Sequence, residues 1–150
     1  MDVDQLGAIE AIRQLKARYF RLMDEQRWDE WADVFTDDAV IVTTDDAPGM
    51  EPIIGGAAFV AFLSPILEGV ITCHHGHMPE ITVEGADEAT GVWAMEDHLV
   101  FPPDSGTGEL RGSGWYHERY RLGADGQWRI AAMELRRIRV TMDGNQVFPR

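Results

Sequence analysis

Between Leu6 and Met23 the apolar residues Leu6, Ile9, Ile12, Leu15, Tyr19 and Met23 return every three or four positions. That spacing lays one buried stripe along an α-helix. Trp28, Trp31 and Phe35 repeat it after the polar break Asp24-Glu25-Gln26-Arg27, predicting a second short helix folded back on the first and ended by Thr36-Asp37-Asp38. The β-branched run Val40 to Thr44 changes the period and predicts a strand, and the acids, glycine and prolines of Asp45 to Pro52 predict a loop. Gly55-Gly56 opens a third helical segment, Ala57 to Leu67. Pro65 limits it to about three turns, because proline has no N–H to give the preceding turn.

Beyond Gly69 the pattern is that of sheet, over Val70 to His77, Glu80 to Glu84, Ala89 to Phe101, Arg111 to Leu122 and Trp128 to Met142. Turns fall at Gly85-Ala86-Asp87, in the Pro102 to Gly108 loop and at Ala124-Asp125-Gly126. Helices followed by a long antiparallel meander predict an α+β fold, with the helices packed on one face of a curved sheet. A length of 150 residues with 45% hydrophobic content buries a core without a staple, so residues 1–150 form a single domain, with no internal repeat or low-complexity tract.

Charge and cysteine content narrow the partners. Thirteen basic against 26 acidic residues give a formal charge of -13, which repels phosphate backbones and anionic membrane surfaces. Nucleic acid and membrane are excluded as expected partners. The single cysteine, Cys73, excludes an internal disulfide, and neither a basic-then-apolar leader nor a membrane-length apolar run is present, so cytoplasmic residence is expected.

Three places hold candidate chemistry. In Ala89 to Phe101 the alternation that carries Ala89, Gly91, Trp93, Met95, Leu99 and Phe101 also carries Asp97 on the apolar face. A carboxylate there must be paired, hydrogen-bonded or shifted in pKa, unless a strand end or bulge brings it to water. In His74-His75-Gly76-His77 the alternation sends His74 to one face and His75 with His77 to the other, and a histidine entering an apolar pocket beside an acid is a candidate general base. The other reading is solvent-facing histidines. Asp24 ends the first helix, where the helix dipole disfavours a carboxylate by about 0.3–1 kcal/mol. It caps the next helix, sits in a turn, or has a compensating partner. Tyr19 falls on the buried stripe and belongs to the core, with a hydroxyl that wants a partner.

A metal site is also weighed, because His75 and His77 share a strand face and Glu80 follows. The approach to a cupin metal motif fails: Glu80 comes one residue early and no second histidine motif follows. No cofactor is therefore expected, and no phosphate-binding loop or nucleophile elbow is present. Arg136, Arg137 and Arg139 on the last strand read as solvent-facing, or as partners for acids across an interface between copies.

Ala17-Arg18-Tyr19 with Asp24, Trp28 and Phe35-Thr36-Asp37-Asp38-Ala39, then His74-His75 before Pro79-Glu80-Ile81, form an ordered series. It continues in Gly91 to Asp97, Tyr116 to Tyr120 and Asp125-Gly126-Gln127-Trp128-Arg129-Ile130. In that order they resemble the SnoaL-like branch of the nuclear transport factor 2-like superfamily over about Leu6 to Val140. The resemblance implies a cone of curved antiparallel sheet closed by the N-terminal helices around an apolar cavity. It implies dehydratase-, dehydrochlorinase- or isomerase-type chemistry in which Asp24 holds His74, and His74 takes a proton from the substrate. Tyr19 and Asp97 match two further residues of the bile-acid dehydratase-like relatives. His98, next to Asp97, is the counterpart if the register moves by one, as in scytalone dehydratase, and His75 stands to His74 in the same way. The implied activity is a cofactor-independent lyase or isomerase acting on a small apolar cyclic or steroid-like molecule. The alternative is a non-catalytic ligand-binding or structural module. Pairing of sheets into a dimer or trimer is expected of such a fold.

Overall fold

Asp2 starts the first helix, α1 (Val3–Asp24), by a reciprocal cap: its carboxylate accepts from the Gln5 N–H at 2.8 Å, and the Gln5 side chain accepts from the Asp2 N–H at 3.0 Å. In the computed structural model, which describes residues 1–150, α1 buries Ile12, Leu15, Tyr19, Phe20, Leu22 and Met23, and with them the charged Lys16. The helix lies across the concave face of the sheet, packed on strands β3 (Ile71–Val83) and β6 (Trp128–Met142).

The second helix is shorter than its spacing predicts. α2 (Trp28–Ala32) ends before Phe35, which opens strand β1 (Phe35–Val42). The sheet decides this: the Ile130 N–H donates to the Val34 carbonyl at 2.8 Å and Phe35 pairs with Ile130, so the backbone of 34–35 is satisfied by β6 rather than by another helical turn. Trp31 and Phe35 still meet, with ring centroids 5.2 Å apart, because they enter one aromatic core with Tyr19 and Phe59. Their spacing reports a shared destination, not a shared helix.

A two-residue strand, β2 (Ile53–Ile54), leads into α3 (Gly56–Ile66), which carries Pro65 in its last turn. The remaining strands are β4 (Glu88–Val100), β5 (Glu109–Leu122) and the short β7 (Asn145–Phe148). The main sheet runs β2-β1-β6-β5-β4-β3, with β7 added beside β6. Every neighbouring pair is antiparallel except β1 and β6, which run parallel after the helical connections return the chain to the sheet. Strand β3 passes through Pro79 without ending; a bulge between His77 and Glu80 absorbs it, with Met78 at φ 34°.

Along β4, Ala89, Gly91, Trp93, Met95, Asp97 and Leu99 alternate into the interior. Gly76 on β3 lets α1 come close, since a Cβ there would lie 2.5 Å from the Phe20 ring. That approach brings the end of α1 to the inward face of β3 two residues away, at His74. No helix is long and apolar enough to cross a membrane.

Candidate active site

Asp24 terminates α1 over the inward face of β3 and meets three donors there. The Thr72 hydroxyl donates to Oδ1 at 2.8 Å, the His74 backbone N–H donates to Oδ2 at 2.9 Å, and His74 Nδ1 lies 2.7 Å from Oδ1. These contacts offset the unfavourable helix end. A carboxylate accepting from two other donors is an acceptor toward the imidazole as well, which assigns the hydrogen of neutral His74 to Nδ1 and leaves the Nε2 lone pair toward the interior.

His74 stands directly opposite Asp97 in the β3–β4 register, and Asp97 stands opposite Gly112 on β5. Nε2 of His74 is 3.9 Å from Asp97 Oδ2. The Asp97 carboxylate is otherwise engaged by Arg137, whose Nη1 and Nη2 donate to its two oxygens at 2.8 and 2.9 Å. Both side chains are almost wholly buried, at 4% and 5% exposure. Burial alone would pull the Arg137 pKa down; Asp97, with Asp46 beyond it, outweighs that and raises it.

Arg137 is a correction to the reading of the last strand, in which three arginines faced solvent or an interface. Arg136 and Arg139 are exposed, whereas Arg137 points inward with Met133. A bulge leaves Ile138 without a partner, since Gly114 pairs with Arg137 and Ser113 with Arg139, so Arg137 and Val140 both face the interior. The available signal was alternation: Met133, Leu135 and Arg137 share parity, and a second charge on an apolar face answers the first.

The other histidines lie outside. His75 and His77 are more than half exposed, with Glu96 Oε1 at 3.5 and 3.8 Å, and no group of three ligating side chains gathers around them. His98 faces outward and contacts Glu109 at 2.9 Å.

His74, Asp97, Arg137 and Tyr19 border a cavity of about 500 Å³, with 18 hydrophobic residues among the 25 that line it. The Tyr19 hydroxyl donates to the Tyr116 hydroxyl at 3.3 Å. Burial raises both phenol pKa values above the usual range, so both stay protonated at neutral pH, and the Tyr116 hydrogen is left over for an occupant. Beneath the two rings lies Lys16 Nζ, 3.7 Å from the Tyr19 centroid and 3.6 Å from that of Tyr116. It is paired with the buried Glu118, which also accepts from the Tyr120 hydroxyl at 2.6 Å, while the Trp93 indole donates to that hydroxyl at 2.8 Å. Nothing in the spacing of α1 singles out this network; Lys16 merely follows Leu15 on the buried stripe.

The rim is built by the loop after β1 and the end of the chain. The Asp45 carboxylate accepts from the Arg137 backbone N–H at 2.8 Å, and the Arg150 guanidinium donates to the Asp45 carbonyl at 2.8 Å. Asp46 closes on the Arg137 side chain, accepting from Nε at 2.9 Å and from Nη2 at 3.2 Å.

The SnoaL-like domain family matches residues 4–134. Among solved structures, a protein of unknown function from Mycobacterium tuberculosis, in an aspartate-to-asparagine variant, is 31% identical, with a TM-score of 0.75 over 90% of this chain and 79% of its own. A candidate scytalone dehydratase from Novosphingobium aromaticivorans is 23% identical, with a TM-score of 0.80 over 91% of this chain and 87% of its own. The hexachlorocyclohexane dehydrochlorinase LinA-type3 from Novosphingobium barchaimii is 18% identical, with a TM-score of 0.77 over 95% and 94%. These last two share the fold.

Proposed function

Because the chain belongs to the SnoaL-like family of the nuclear transport factor 2-like superfamily, we propose that it is a cofactor-independent lyase or isomerase for a small, apolar, cyclic or steroid-like molecule. The observation that carries this reading is His74, held through Nδ1 by Asp24 at 2.7 Å with Nε2 open to an apolar cavity. In the elimination, Nε2 takes a proton from substrate carbon, and the electron pair of that C–H bond forms the new double bond. Hydroxide leaves the neighbouring carbon with its own pair. It accepts a hydrogen bond from the Tyr19–Tyr116 hydroxyl pair and recovers a proton from the imidazolium, so that water is released and His74 is neutral again. In an isomerisation the same hydroxyls support the enolate oxygen and the imidazolium returns its proton to a different carbon.

Asp24 keeps the imidazole in the Nδ1–H form and stabilises its positive charge. Asp97, 3.9 Å from Nε2, adds a second carboxylate beside that charge, and Arg137 keeps this acid in place in the buried wall. The candidate scytalone dehydratase and the dehydrochlorinase with this fold are named for eliminations, which agrees with the reading. Self-association through the outer face of the sheet, where Trp115 and Ile138 stand exposed, belongs to the same proposal and is read by sedimentation.

The test is turnover of hydroxylated or halogenated cyclic compounds by the wild type and by His74→Ala and Asp24→Asn. Each variant is expected to lose about 10²-fold or more in kcat with its fold unchanged. Unchanged turnover in both would sink the assignment, and ligand binding without turnover in the wild type would make the protein a binding module.

A further inference from the structure

Arg137 has five N–H bonds directed outward from its guanidinium, and all five are used. Two go to Asp97 and two to Asp46, and the second hydrogen of Nη1 points at the Met95 sulfur, 3.8 Å away. A guanidinium in the wall of an apolar cavity is ordinarily the place where a carboxylate or phosphate of an occupant would dock. Here that place is taken by a residue of the chain itself. The two acids differ in standing: Asp97 is buried inside the wall, whereas the Asp46 side chain, at the rim, is 45% exposed.

The charges that face the cavity agree. Three lining carboxylates, Asp45, Asp46 and Asp97, stand against two lining guanidiniums, Arg137 and Arg150. Asp24 adds a further carboxylate behind the His74 ring. Arg150 is exposed at the rim and screened by solvent, so it offers an anion little. An anion entering this space gains no free donor on Arg137 and meets an excess of carboxylate.

We propose that Asp46 decides the charge of what the cavity accepts: it occupies the open edge of Arg137, so that the site takes uncharged cyclic molecules and turns away carboxylates. This rests on the reading of the cavity as the substrate site and narrows its substrate class to compounds without an anionic group. Removing the Asp46 carboxylate, wholly in Asp46→Ala and down to one neutral acceptor oxygen in Asp46→Asn, frees donors on the Nε–Nη2 edge toward the rim and turns the same cavity into an acceptor of cyclic carboxylates.

The experiment is calorimetric binding of a matched pair of probes at pH 7, 2-naphthol and 2-naphthoate, to the wild type, Asp46→Asn and Asp46→Ala. The wild type is expected to bind 2-naphthol at least about 10-fold more tightly than 2-naphthoate. Both variants are expected to gain about 10-fold for 2-naphthoate and to keep their affinity for 2-naphthol. Equal affinities in the wild type, a wild type that binds neither probe, or variants whose preference is unchanged would each overturn the proposal. Repeating the pair on His74→Ala separates it from the lyase reading, since that variant abolishes proton transfer and leaves Asp46 and Arg137 in place. A charge preference that persists in His74→Ala while the wild type shows no turnover supports Asp46 and removes the lyase.

Discussion

Gly112 stands directly opposite Asp97 on the neighbouring strand, and its missing side chain is the space in which the Asp97 carboxylate meets the Arg137 guanidinium. A Cβ at Gly112 would collide with Asp97 Oδ1 and with Arg137 Nη1 together, so both charged ends must shift and their two-pronged pairing is disturbed. Gly112→Ala is therefore expected to destabilise the fold by about 1–3 kcal/mol, the usual penalty for overfilling a packed site. The urea midpoint measures this, and a midpoint within error of the wild type would mean that the wall yields more easily than its geometry states.

Removing one partner of the buried pair is expected to be worse than removing both. Arg137→Met leaves the buried Asp97 carboxyl without its partner and should cost about 3–5 kcal/mol, whereas Arg137→Met with Asp97→Leu should recover most of that loss. A double-mutant cycle in urea reads the coupling. If the double variant is as unstable as the sum of the single ones, the pair is not energetically coupled.

Lys16 gives stability a pH dependence. Burial lowers its pKa to about 8 against the opposing pull of Glu118. Between about 8 and the ordinary 10.5 the unfolded chain holds a proton that the folded chain has released, so stability rises with pH over that window. Tyr19, Tyr116 and Tyr120 act in the opposite sense. Burial raises their pKa values, so above the ordinary 10.0 the unfolded chain loses protons that the folded chain keeps, and stability falls. Urea midpoints taken from pH 7 to 11 should therefore climb from about 8 and turn down above about 10. In a paired Lys16→Met, Glu118→Gln variant the climb should vanish and the downturn remain.

The two parts of the site were unequally legible. Asp97 declared itself, because strict alternation over thirteen residues of β4 leaves its side chain only one face. The end of α1 at Asp24 followed from the 3.6-residue period and the polar break behind it. Phe35 shows the limit of the same method: its spacing suits a helix, yet pairing with Ile130 makes it the first residue of a strand.

Local periodicity is what the sequence by itself determined: the buried stripe of α1, the inward set of β4 and the order of helices before sheet. Each of these depends on the repeat of a helix or strand, which a chain carries within a few residues. The identity of the charges that answer one another was decided only by tertiary structure. Arg137 faces inward with Met133 and Leu135 because one extra residue at Ala131 resets the alternation begun by Trp128 and Ile130, and Asp46 and Lys16 find partners 91 and 102 positions away. Such pairs are formed by sheet register and helix docking, and no repeat along the chain records either.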